Sequence, residues 1–130
     1  MIDLIETQEI RDALAARPQD ALSIIKDTDI GVCITNDQGN FVAVNDAYCR
    51  VYGFDRSELV GHSFTIVVPE ANRDIMNTLH RKFLRDKREI SREWDVQRKT
   101  GELIRISVDT AFNDQIFGGG PHKITFVHPE

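Results

Sequence analysis

The chain predicts an α+β fold, an antiparallel sheet with helices on one face behind an N-terminal helical segment, and three observations predict it. The apolar pattern changes from helical spacing to β-rich runs at Gly31, returns to helical spacing between Asp46 and Lys87, and ends in three further β-rich runs. Helix, two strands, several helices and three strands, in that order, form strands that turn back on one another beneath a helical layer. The 130 residues match one compact domain with one core.

Each element has a local reason. Ile2, Ile5, Ile10 and Leu14 recur at loose helical spacing until Arg17-Pro18, where the proline restricts the residue before it and ends the helix. Gln19 to Lys26 adds one or two turns carrying Leu22, Ile24 and Ile25, and the stretch Lys26 to Asp29 is too short to be a linker between separate domains. Gly31 to Thr35 and Phe41 to Val44 form a hairpin, because Asn36-Asp-Gln-Gly-Asn40 holds the residues that a tight turn needs. Asn45 opens a short helix, Asp46 to Tyr52, and Gly53 closes it. Asp55 and Glu58 stand at capping-box spacing with Phe54 and Leu59 as a hydrophobic staple, so a second short helix runs to Gly61. Beyond Pro69, Ile75, Leu79 and Phe83, flanked by Met76 and Leu84, draw one apolar face on a longer helix from Asn72 to Lys87. Ile90 to Arg98 and Leu103 to Phe112 read as strands joined at Lys99-Thr-Gly-Glu102, with Ile104, Ile106, Val108, Thr110 and Phe112 alternating onto one face. A last strand, His122 to His128, follows Gly118-Gly-Gly-Pro121.

Charge narrows the partners. Sixteen basic residues against 21 acidic ones give a formal charge of −5, which repels nucleic acid and anionic lipid. The one basic cluster, Arg81, Lys82, Arg85, Lys87 and Arg88, falls at the end of the long helix, where cations complement the dipole, and no stacking aromatics alternate with it. No apolar run approaches membrane-spanning length, and Asp3, Glu6 and Glu9 stand where a secretory leader would be basic, so a cytoplasmic location is expected. Cys33 and Cys49 form no CxxC pair and suit a reducing compartment.

The stretch Gly31-Val-Cys-Ile-Thr-Asn-Asp-Gln-Gly-Asn-Phe-Val-Ala-Val-Asn-Asp-Ala-Tyr-Cys-Arg-Val-Tyr-Gly-Phe54 resembles the PAS (Per-Arnt-Sim) family: a strand, an Asp-x-Gly turn, a second strand, an Asn opening a helix, and a Tyr-Gly ending. Ser57-Glu-Leu-Val-Gly61 resembles the family's next helix, and Gln97-Arg-Lys-Thr-Gly101 its basic turn, with Thr100 in place of the commoner Asp. The resemblance covers residues 22 to 128 and implies a five-stranded antiparallel sheet cupped around a pocket, used for ligand sensing, dimerisation and relay to an effector. It divides the chain into an N-terminal helical cap, 1–21, and a PAS-like domain, 22–130, with an effector domain or protein supplied elsewhere. Fold alone does not choose among these uses.

Catalysis finds no support: the sequence holds no nucleophile elbow, no HExxH and no phosphate loop, since Gly118-Gly-Gly120 lacks the following Lys-Ser/Thr and helix. The light-sensing members' flavin-adduct cysteine is missing from Gly61 to Pro69, and Cys33 and Cys49 read as packed hydrophobes. The haem-sensing members' axial histidine has one counterpart on the long helix, His80, offset from the usual position, which aligns nearer Asn72. His62, His122 and His128 lack metal-ligand spacing, and no metal is expected.

The expected pocket residues are His80, Arg92, Trp94, Met76, Phe83 and Ile106. Arg92 shares strand parity with Trp94 and Val96, so with His80 it would hold a small carboxylate against the Trp94 wall. The competing expectation sends Arg92 to solvent or to a neighbouring acid. Ile2, Ile5, Ile10 and Leu14 are the expected homodimer contacts, with self-capping of the monomer as the alternative. Function therefore reads as small-ligand sensing with relay; a ligand-free dimerisation module and a haem-based gas or redox sensor are the other two readings.

Overall fold

The computed structural model describes residues 4–88 and 91–129. Its helices are α1 (Leu4–Ala16), α2 (Ala21–Lys26), α3 (Asp46–Tyr52), α4 (Arg56–Leu59) and α5 (Arg73–Asp86). Its strands are β1 (Gly31–Thr35), β2 (Phe41–Val44), β3 (Ser91–Gln97), β4 (Leu103–Asn113) and β5 (His122–Pro129). The five strands form one sheet in the order β2-β1-β5-β4-β3, with every neighbouring pair antiparallel. The last strand of the chain thus lies at the centre, between the two hairpins, which makes β5 the element that touches both halves of the sheet.

The turns and caps expected from the sequence form. The Asn36 side chain accepts hydrogen bonds from the amides of Gln38 and Asn40, closing the β1–β2 turn. Gly39 sits there at φ +79° with Phe64 ring atoms 3.2 Å from where a Cβ would stand, so only glycine fits without strain. Asp55 and Glu58 make the reciprocal capping box. Asn45, buried, does more than cap α3. Its Oδ1 accepts from the amides of Tyr48 and Val32, each at 2.9 Å, and its Nδ2 donates to the carbonyls of Ile25 (2.8 Å) and Ile30 (2.9 Å). One side chain therefore joins α2, the start of β1 and the start of α3.

Strand alternation splits the interior into two clusters. On the outer face, Val32, Ile34, Ile124, Phe126 and Ala111 pack beneath Ile10 and Leu14 of α1 and Ala21 and Ile25 of α2. On the inner face, Cys33, Val108, Ile106, Val96 and Val127 meet Tyr48, Tyr52, Phe64 and Val67 from the helical layer. Arg11 on α1 pairs with the buried Asp109 of β4 and donates to the Thr110 carbonyl, and Thr28 donates to Glu6, so polar contacts also hold the cap on the sheet.

The expected dimer contacts divide. Ile10 and Leu14 are buried against this chain's own sheet, which is the self-capping alternative, while Ile5 is 75% exposed and Ile2 lies outside the described residues. The cause is helical geometry: five positions at about 100° each turn Ile5 about 140° away from Ile10. Thr7, buried, occupies the inward position that Ile5 cannot reach.

Candidate functional site

Between the inner face of the sheet and the helical layer lies a cavity of about 90 Å³. Alternation brings in Cys33 and Thr35 from β1, Lys123, Thr125 and Val127 from β5, Ile106, Val108 and Thr110 from β4, and Trp94 and Val96 from β3. The strong apolar stripe of α5 supplies Met76, Leu79, His80 and Phe83, and α3 supplies Tyr48 and Tyr52. Phe64, Val67 and Val68 close the remaining side.

Most of this lining is apolar, but two basic nitrogen groups stand in it. His80, buried, points its Nε2 at the Asn36 carbonyl, 3.0 Å away, and its ring lies 5.3 Å from that of Phe64. A carbonyl only accepts, so Nε2 carries the proton and Nδ1, buried and without a hydrogen-bond partner, is a bare acceptor. Burial, and then the nearby Lys123 ammonium, hold the imidazole down to about 4, which keeps it neutral at pH 7.

Lys123 is the second group. Its Nζ lies 4.8 Å from the ring centre of Phe64 and 6.0 Å from that of Phe83, and among the described residues no carboxylate pairs with it. Burial pushes its pKa down from 10.5 to about 8, so it is a cation at neutral pH held in aromatic surroundings. Cys33 nearby is pushed up to about 11 by burial and remains a neutral thiol, in keeping with its reading as a packed hydrophobe. Cys49, partly buried, is likewise raised by burial and lines no side of this cavity.

Of the residues expected from sequence, the cavity gathers Met76, His80, Phe83, Trp94 and Ile106. Arg92 lies outside it, as the competing expectation had it. It is exposed, with its guanidinium 4.8 Å from the ring centre of Trp94, and it stays outside the lining because its position at the start of β3 lets the long side chain reach water. Glu93 and Asp95 pair instead with Arg105 of β4. Sequence reasoning missed Lys123, although its parity with Thr125 and Val127, opposite to Ile124 and Phe126, was available as a signal.

The residues present do not fit haem. The space is far below the roughly 300–1,000 Å³ of pockets for larger ligands, and the Nε2 of His80 is held by the Asn36 carbonyl. Among the described residues no group of three metal-ligating side chains comes together, and no helix is long and apolar enough to cross a membrane.

Comparison with known proteins agrees with this architecture. The family pattern described as PAS domain matches residues 29–120. Among solved structures, a PAS domain from a two-component sensor histidine kinase aligns at TM-score 0.69 and 15% identity, covering 95% of this chain and 99% of its own. The PAS domain of a protein from Colwellia psychrerythraea aligns at TM-score 0.72 and 10% identity, covering 98% of each chain. A PAS domain from a LuxR-family transcriptional regulator of Burkholderia thailandensis, in complex with ethanol, aligns at TM-score 0.65 and 16% identity, covering 82% of this chain and 94% of its own. No curated protein matches.

Proposed function

This chain belongs to the PAS domain family, and on that premise we propose that it is a sensory module whose cup takes a small molecule and whose sheet relays occupancy to a signalling partner. The single observation that carries the reading is the cavity of about 90 Å³, apolar but set with a cation and a bare acceptor. On a scale where one water needs at least about 10–15 Å³ and an engineered cavity of about 150 Å³ holds benzene, this space suits a molecule of a few heavy atoms. The Burkholderia thailandensis neighbour, a PAS domain in complex with ethanol, is a relative in fold that holds a molecule of that size.

The relay has a short physical route. Along β4 and β5 the residues facing the cavity, Thr110, Lys123 and Thr125, alternate with those facing the cap, Asp109, Ile124 and Phe126. Arg11 of the cap holds both the Asp109 carboxylate and the Thr110 carbonyl. A ligand that moves Thr110 or Lys123 therefore changes the seat of α1 only if it binds the two arrangements differently, which is the energetic condition for any relay. In this reading residues 1–21 are the output cap, residues 22–130 are the sensor, and the module signals without catalysing a reaction. Leu4 and Ile5, exposed on the outer side of α1, are where a second copy would contact it.

Native mass spectrometry of freshly purified protein tests this. A reproducible adduct of low mass, lost on denaturation, is the expected result. A bare protein in repeated preparations, with no small molecule altering its melting, would replace it with a ligand-free dimerisation module.

A further inference from the structure

We propose that the ligand class of this cup is a short 2-hydroxycarboxylate, its carboxylate held by Lys123 and its hydroxyl donating to Nδ1 of His80. The inference rests on the sensory-pocket reading above and adds the chemistry of the occupant.

Three observations carry it. Lys123 presents an ammonium to an apolar cavity with no acid facing it from β1, β4 or α5: the cavity residues around it are Thr35 and Cys33 on β1, Thr110 on β4, and His80 with Phe83 on α5. A cation so placed calls for an anion, because the rings of Phe64 and Phe83 offset only some of its desolvation. The second observation fixes the other end. His80 spends its ring N–H on the Asn36 carbonyl, so what remains is an acceptor, which a carboxylate oxygen cannot satisfy and a ligand O–H can. A simple acid thus leaves one buried atom unmatched, a neutral alcohol leaves the other, and a 2-hydroxy acid meets both. The third is size: about 90 Å³ limits the molecule to roughly a two- or three-carbon acid.

The test titrates the intact 130-residue protein with glycolate, acetate and glycolamide, three molecules of nearly one size, following amide resonances of the cavity strands by NMR. Glycolate is expected to bind about 10–100-fold more tightly than glycolamide, which lacks the charge, and about 3–10-fold more tightly than acetate, which lacks the hydroxyl. Lys123→Met should bring glycolate down to the level of glycolamide, with the spectrum otherwise folded. Equal binding of glycolate and glycolamide overturns the cationic anchor, and equal binding of glycolate and acetate overturns the His80 acceptor; either result sinks the proposal. Should none of the three bind while native mass spectrometry still detects an adduct, the proposal fails and the sensory pocket stands. No binding and no adduct removes both.

Discussion

The two faces of this sheet are built from alternate residues of the same strands, yet they differ in kind. The outer face is close-packed: Val32, Ile34, Ile124 and Phe126 lie under Ile10, Leu14 and Ile25, each at most 7% exposed, and its buried Asp109 is paired with Arg11. The inner face places Thr35, Thr110, Lys123 and Thr125 on the same strands, around a space that packing does not fill. Tight interiors approach crystal density, so an unfilled, partly polar region beside a well-packed one marks a division of labour. One face supplies stability and the other gives some of it up, because an unpaired cation near apolar groups costs free energy that a ligand can return.

The largest expected effect lies where the two layers meet. Asn45→Ala removes the acceptor for the Val32 and Tyr48 amides and the donor to the Ile25 and Ile30 carbonyls, and it should cost about 3–5 kcal/mol by urea unfolding. A loss under about 1 kcal/mol would mean that this side chain does not join the layers. Next comes the close-packed outer face: Leu14→Ala, at a fully buried position, should cost about 3 kcal/mol by the same assay.

On the inner face the sign reverses. Lys123→Met should stabilise the ligand-free protein at pH 7 by about 1–3 kcal/mol, since a similar volume remains and the half-buried charge goes. The pH dependence sharpens this. The folded-state pKa of about 8 lies below the ordinary 10.5, so the unfolded chain binds more protons between those values. The burden of Lys123 is therefore full below pH 8 and lifts as pH rises towards 10.5, and the gap between wild type and variant should close over that window. A gap independent of pH would place its origin in packing instead. The smallest effect belongs to Arg92→Ala, within about 0.5 kcal/mol in stability, because the guanidinium rests on Trp94 in the open; glycolate affinity should not change.

Much of this architecture was legible in the residues, and the gaps have physical causes. The turn at Asn36 to Asn40, the cap at Asn45, the box at Asp55 and Glu58, and the α5 stripe are set by neighbours in sequence, so local chemistry sufficed to place them. Met76, Phe83, Trp94 and Ile106 were found because helical spacing and strand alternation orient side chains before packing is known. Arg92 and Lys123 were exchanged for a different reason. Both are cations on cup-facing parity, and what separates them is strand position, since β3 is an edge strand and β5 the central one. That order is a long-range property which no window of sequence contains. The bare Nδ1 of His80 was hidden for the same reason, because it is set by the bond that Nε2 makes to the Asn36 carbonyl, 44 residues away.

The most direct test of the central claim is the titration of Lys123 itself, followed by NMR of its side-chain 13Cε resonance with and without glycolate. A midpoint near 8 is expected in the free protein, with an upward shift when the anion binds. A midpoint near 10.5, unmoved by glycolate, would contradict it: Lys123 would then be an ordinary solvated lysine, and the inner face no more than an imperfectly packed core.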